Sequence, residues 1–338
     1  MTVELDGTCL RPEGLAGGSR AIETVLTELR RGRAVYLRDG ERGGCFVAAA
    51  REITATTAEL MSRSTTGMLC VALSAERAGE LGVHPSAAPA SADVKAGTTS
   101  GMSLGDRVRT VRALADPATG AADFSWPGHV FLLRAHSGGV LRRAGSAEAA
   151  VDLCRLAGLP GVAALADAAD AGLVSVTHDD VLDHRLAAEQ LVRREAAARI
   201  PTEHGQFTAV GYRSLIDDSE HVALVLGDVD QRAESATAAP VLTHVHVECL
   251  TGDVFGSARC DCSRRLRQAM AQVGAAGRGV VVYLRSSEGP APHGEAPAGD
   301  RLGTVVSSQI LRDLGVSRTE LPTDGVPPAG FAPHHSFR

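Results

Sequence analysis

Glu248-Cys249-Leu250-Thr251-Gly252-Asp253-Val254-Phe255-Gly256-Ser257-Ala258-Arg259-Cys260-Asp261-Cys262 carries three of the chain's seven cysteines. Two of them flank a single aspartate, and the third lies eleven residues upstream. Zinc takes four tetrahedral ligands, and three protein ligands leave one corner for water. A C-x-C pair lets two thiolates reach one ion from a single turn, and Gly252 and Gly256 let the chain fold back to bring Cys249 to them. The same spacing also fits a tight turn with incidental thiols, because free cysteines are often small buried hydrophobes.

Working outward, Val245-His246-Val247 has the pattern of a strand leading into this stretch, and Cys262 to Val273 that of a helix leaving it. Gly279 to Arg285 is a core strand, residues 289–299 are too rich in Pro, Ala and Gly for regular structure, and Ser307 to Leu314 is helical. Residues 208–213 and 221–227 alternate as strands, and the charged, Ala-rich residues 185–199 predict one linking helix. Upstream, helices are expected over residues 19–33, 58–64, 107–115 and 147–159, with strands at 34–37, 46–50, 68–73 and at the end of 125–133. Residues 84–98 read as a loop. Strands alternating with helices give an α/β (α+β) fold of two domains, each a mixed sheet with packed helices.

Composition narrows the function. A chain of 338 residues fits two domains of ordinary size, and 44% hydrophobic content supplies two cores. A net charge of −6 without a basic tail argues against a nucleic-acid partner. Lys95 is the single lysine among 34 basic residues, which leaves little lysine for Schiff-base chemistry or phosphate capture. An odd number of cysteines in a long chain is no disulfide framework. No signal peptide and no apolar run of about 18 residues is seen, so a cytoplasmic protein with no membrane partner is expected.

The cysteine stretch closely resembles the zinc signature of GTP cyclohydrolase II, the enzyme that opens the guanine ring of GTP at the start of riboflavin synthesis. Glu220 to Val225 and Gly227-Asp228-Val229 fit the same family. The first half resembles 3,4-dihydroxy-2-butanone 4-phosphate synthase, through Gly67 to Leu73, Asp106-Arg107, Pro127-Gly128-His129-Val130-Phe131, Gly139 to Gly145 and Glu148 to Leu153. The two enzymes are fused in this order in many bacteria. The resemblance implies a synthase-like domain over residues 1–184, a linker helix over 185–199 and a zinc domain over 200–338. It also implies a homodimer built through the first half.

What the resemblance implies about the sites is uneven. One zinc per chain would be held by Cys249, Cys260 and Cys262. Catalytic roles fall to His246, Glu248, Asp300 and Arg301, with Arg301 one place earlier than the family's D-x-R arginine. Substrate contacts fall to His244, Glu248, Arg265, Arg285, Glu288 and Thr323. Several of these depart from the family: His244 stands for an arginine, Arg265 for a glutamine, and the phosphate-binding glycines after Arg285 are lost. About thirty residues that normally follow are shrunk to Ala291–Gly299, and Thr323-Asp324-Gly325-Val326-Pro327 lacks the family lysine.

The synthase half departs further. Its magnesium would need an acidic loop and a histidine. The loop here is Asp39-Gly40-Glu41-Arg42-Gly43-Gly44-Cys45, and Ser146 takes the histidine's place. Glu41 survives, Gly43 and Cys45 replace carboxylates, and about twenty residues are missing before Gly172. The expectation is a divergent, shortened paralogue with its magnesium site lost. Its second half is either a zinc hydrolase acting on GTP or a related purine-like heterocycle, or a non-catalytic scaffold that binds a riboflavin enzyme or a small ligand. A fourth protein ligand to zinc, such as His246, would mark the scaffold.

Overall fold

The computed structural model describes residues 2–4, 15–40, 43–63, 68–83, 91–232, 239–285 and 301–320. The chain divides into two compact units, Glu13–Ala188 and Met1–Pro12 with Glu189–Arg338. A short strand, β1 (Thr2–Glu4), pairs in the sheet of the second unit rather than the first domain expected from its position.

The first unit runs α1 (Leu15–Arg30), β2 (Val35–Arg38), β3 (Gly44–Ala49), α2 (Ala55–Arg63), β4 (Cys70–Leu73), α3 (Ala75–Glu80), β5 (Ser91–Val94), α4 (Leu104–Leu114), β6 (Phe124–Arg134), α5 (Ser146–Leu156), β7 (Val162–Ala168), β8 (Ser175–Thr177) and α6 (His178–Ala188). Its strands form one sheet in the order β5-β6-β4-β7-β3-β2-β8. The β4–β6 and β2–β8 pairs are parallel and the others antiparallel, so the sheet is mixed. Side chains alternate across a strand. Tyr36, Phe46 and Ala48 therefore face one core with Met61 of α2 and Val111 and Leu114 of α4. Val35, Leu37, Cys45 and Val47 face the other with Ile22, Val25 and Leu29 of α1, Leu153 of α5 and Val181 of α6. Helices thus cover both faces, which is why these strands read as continuous apolar runs.

The second unit continues with β9 (Val192–Thr202), β10 (Gly205–Ser214), β11 (Glu220–Leu226), β12 (Val241–Val247), α7 (Leu250–Asp253), α8 (Cys262–Ala276), β13 (Gly279–Leu284), α9 (Arg301–Asp313) and β14 (Arg318–Glu320). The sheet order is β1-β14-β12-β13-β11-β10-β9, with β12 parallel to both β13 and β14. Phe207 and Val281 on one face pack with Ala269 and Val273 of α8. On the other side Tyr212 donates to Asp313 of α9 at 2.7 Å. Gln309 of α9 accepts from the Leu191 N–H and donates to the Glu189 carbonyl, both at 2.8 Å, which anchors the approach to β9.

Three expectations need correction. Residues 185–199 are not one helix: α6 stops at Ala188, and β9 pairs along its length with β10. The Ala, Arg and Glu content favours a helix locally, but Pro201 biases Ile200 towards extended backbone and the β10 ladder satisfies the peptide groups. Within the expected loop 84–98, Ser91–Val94 forms a strand because β6 offers it an antiparallel partner. The last helix begins at Arg301, six residues before Ser307. Among the described residues no helix is long and apolar enough to cross a membrane.

Phe46 is fully buried, with its ring edge-on to Tyr36 at a centroid distance of 6.0 Å. Phe46→Ala removes that packing and leaves a cavity, so it should destabilise the first unit by about 3–5 kcal/mol. Urea unfolding followed by circular dichroism checks this, and a loss below about 1 kcal/mol would mean the site collapses freely.

Candidate metal centre

The parallel strands β12 and β13 end side by side, and the chain leaving β12 turns at once into α7. Cys249 caps that single turn, its sulfur accepting the Gly252 N–H at 3.0 Å. Gly256, with φ of +62°, reverses the chain towards Cys260, and Cys262 is the first residue of α8. The sulfurs of Cys249, Cys260 and Cys262 all lie within 4.8 Å of one another. Cys249 is buried and the other two are half-buried.

Two observations test whether this trio suits zinc. Thiolates held at about 2.3 Å around a tetrahedral ion stand about 3.8 Å apart, and Cys249 and Cys260 are 3.9 Å apart. Gly252 leaves the necessary space. A Cβ there would lie 2.6 Å from Cys260 Sγ, 2.9 Å from Cys249 Sγ and 3.1 Å from Cys262 Cβ. Burial, then the neighbouring Cys249 and Cys260, push the Cys262 thiol up to about 12. Three thiolates this close need a shared cation, and a soft divalent metal supplies one. Among the described residues no further His, Cys, Asp or Glu joins the three sulfurs.

His246 is engaged elsewhere. Its Nε2 faces both oxygens of Asp253 at 3.0 Å. Asp253 also accepts from the Cys249 N–H at 2.9 Å and the Tyr283 hydroxyl at 2.8 Å. Tyr283 stacks on His246, with centroids 5.3 Å apart and planes at 20°. Burial, followed by Asp253, raises the Tyr283 phenol, so it stays a donor. Asp253 and Tyr283 were not among the expected site residues. Asp253 stands one helical turn after Cys249 inside the cysteine stretch, which could have suggested it. Tyr283 is found only through its pairing with His246 across the β12–β13 ladder.

The remaining expected residues divide. Glu248 accepts from Arg285 Nε at 3.4 Å, and the Arg285 N–H donates to His221 Nδ1 at 3.2 Å. Burial lowers the pKa of His221, which suits it to accept. Arg265 is held by Asp261, the residue between the two C-x-C cysteines, at 2.9 Å. Arg264 donates to the same oxygen at 2.9 Å, and the bond from Arg265 leads the effects that lower the Asp261 carboxyl. His244 is buried with its Nε2 unpartnered. Burial, then His246 and Arg265, push His244 down to about 4, so it is neutral near pH 7. Arg301 opens α9 and is exposed. Asp300, Glu288 and Thr323 lie outside the described residues.

In the first unit, Cys45 of β3 lies beside Ser146 at the start of α5. Burial pushes the Cys45 thiol up to about 12. The two positions expected to carry a carboxylate and an imidazole are therefore neighbours, and they carry a thiol and a hydroxyl. Glu41 lies outside the described residues.

Comparison with known proteins bears on both units. Residues 23–194 match the 3,4-dihydroxy-2-butanone 4-phosphate synthase family, and residues 193–326 match GTP cyclohydrolase II. The riboflavin biosynthesis protein RibBA of Rhodococcus jostii is 39% identical over 90% of this chain and 85% of its own. RibBA of Mycobacteroides abscessus is 43% identical over 90% of this chain and 85% of its own. The crystal structure of RibBX, a two-domain 3,4-dihydroxy-2-butanone 4-phosphate synthase from A. baumannii, superposes with a TM-score of 0.70 and 26% identity. It covers 92% of this chain and 96% of its own.

Gly252→Ala puts a methyl group between the sulfurs without altering any donor atom. It should lower zinc affinity on the order of tenfold or more, read by competition with a chromophoric chelator. Unchanged affinity would mean that the sulfurs do not converge on a metal at this point.

Proposed function

The chain belongs to the riboflavin-biosynthesis family that joins 3,4-dihydroxy-2-butanone 4-phosphate synthase to GTP cyclohydrolase II, and we propose that its second unit is a zinc hydrolase of the cyclohydrolase type. On this reading it is a divergent, shortened paralogue. The substrate is a purine-like heterocycle with fewer phosphates than GTP, or GTP used poorly. The observation that carries it is the trio Cys249, Cys260 and Cys262 with no fourth His, Cys, Asp or Glu beside it among the described residues.

A zinc ion bound there would supply an activated water near neutral pH. The chain's own residues do the rest. Cys249, Cys260 and Cys262 hold the metal. Glu248, steered by Arg285, is poised to take or deliver a proton at the ends of β12 and β13. His246 is withheld from the metal by Asp253, which favours an open centre over a closed structural one. Arg301, which opens α9, and Asp300, outside the described residues, complete the proposed catalytic set.

The cations of the site argue for a changed substrate. His244 is neutral where the family has arginine. Arg265 is tied to Asp261, and Arg285 to Glu248 and Glu220. Each charge-assisted contact missing from a triphosphate costs roughly 1.5–3 kcal/mol. The same argument extends to the first unit, which we propose has lost its magnesium site, because Cys45 and Ser146 offer neither carboxylate nor imidazole to a hard cation.

Two assays test this. Zinc-loaded protein given GTP should turn it over at least about a thousandfold more slowly than an intact family member, as two or three lost contacts imply. Any residual reaction should release formate without pyrophosphate. Stoichiometric release of both at a normal rate would overturn the changed-substrate reading. With magnesium and ribulose 5-phosphate, no butanone phosphate should form, and turnover of about 1 per second or more would refute the loss of the synthase.

A further inference from the structure

Asp253 is a buried carboxylate whose side chain is 6% exposed. Its described partners are three hydrogen-bond donors. The Cys249 N–H comes from the cap of α7, His246 Nε2 from β12, and the Tyr283 hydroxyl from β13. The Asp253 N–H in turn donates to the Cys249 carbonyl at 2.6 Å. Cys249 and Asp253 therefore grip each other from both sides, through backbone in one direction and side chain in the other. That grip fixes the α7 turn, and the turn aims the Gly252 N–H at the Cys249 sulfur.

The carboxylate also decides what His246 can do. Both of its oxygens lie 3.0 Å from Nε2, so that ring nitrogen is committed to Asp253. Tyr283 closes the arrangement by stacking on the same ring whose partner it also bonds. No other carboxylate of the second unit accepts from a metal-site cysteine backbone, a histidine and a tyrosine together among the hydrogen bonds described.

We infer that Asp253 is the positioning residue of the three-cysteine centre: it fixes Cys249 for the metal and holds His246 off it. This rests on the reading that the three thiols bind zinc. Asn at this position keeps the size of the side chain but removes the negative charge on which the Cys249 N–H, His246 Nε2 and the Tyr283 hydroxyl converge. An outer partner of this kind is worth about 10–100-fold in metal affinity when removed.

The test uses the full chain, with zinc affinity read by chelator competition and the coordination sphere read by the visible spectrum after Co(II) substitution. Wild type should bind one zinc. Asp253→Asn should bind it 10–100-fold more weakly and show an altered Co(II) ligand-field spectrum. Tyr283→Phe removes one donor only and should show a smaller loss in the same direction. It carries the test if Asp253→Asn does not fold. Phe207→Ala, which loosens the same unit from its core, should leave the affinity and spectrum of the folded protein unchanged. Wild-type affinity and spectrum in both Asp253→Asn and Tyr283→Phe, with zinc bound in the parent, would overturn the positioning role and leave the zinc reading standing. A parent that binds no zinc would remove the zinc reading and the inference with it.

Discussion

Sulfurs of three thiols within 4.8 Å of one another impose the main constraint on the second unit. Without a cation between them, burial first and then each ionised neighbour raise the cost of ionising a sulfur, as at Cys262. The local fold is organised to bring them together nonetheless. Gly252 gives up its side chain so that the sulfurs can approach, and its N–H supplies partial positive charge to Cys249. The start of α8 does the same for Cys262, because the first turn of a helix has N–H groups without internal partners. The sheet contributes through position: the parallel pair β12 and β13 delivers Glu248 and Arg285 to one end, and the cysteine loop begins there.

Much of this was legible in the sequence, for identifiable reasons. The cysteine spacing and its two glycines point directly to a turn that gathers thiols. Apolar spacing along Ile22, Val25, Leu26 and Leu29 marks a helix with one buried face, as α1 has. The mixed sheets follow from short apolar runs between helical segments. The segment 192–202 was not legible, because its composition favours a helix and its strand state depends on β10. Nor was the role of Asp253, which depends on Tyr283 thirty residues away. Spacing also could not show that Arg265 and Arg285 already have carboxylate partners. Charge in a sequence gives the number of cations, and only packing shows which are committed.

The polar groups brought together in the two units differ. Around the cysteines the three sulfurs converge, and the Gly252 N–H donates to one of them. In the first unit, β3 and the start of α5 bring together Cys45, a neutral thiol, and Ser146, a hydroxyl. The first unit keeps a full three-layer core on both faces of its sheet.

The central claim is that three sulfurs hold a zinc ion whose fourth position is open to a light, non-protein ligand. Zinc K-edge X-ray absorption on protein purified without chelator measures this directly. The account predicts three sulfur scatterers at about 2.3 Å and one oxygen at about 2.0 Å, with no imidazole signature. A fourth sulfur or an imidazole shell would contradict it by making the centre a closed structural site, and so would protein that carries no zinc.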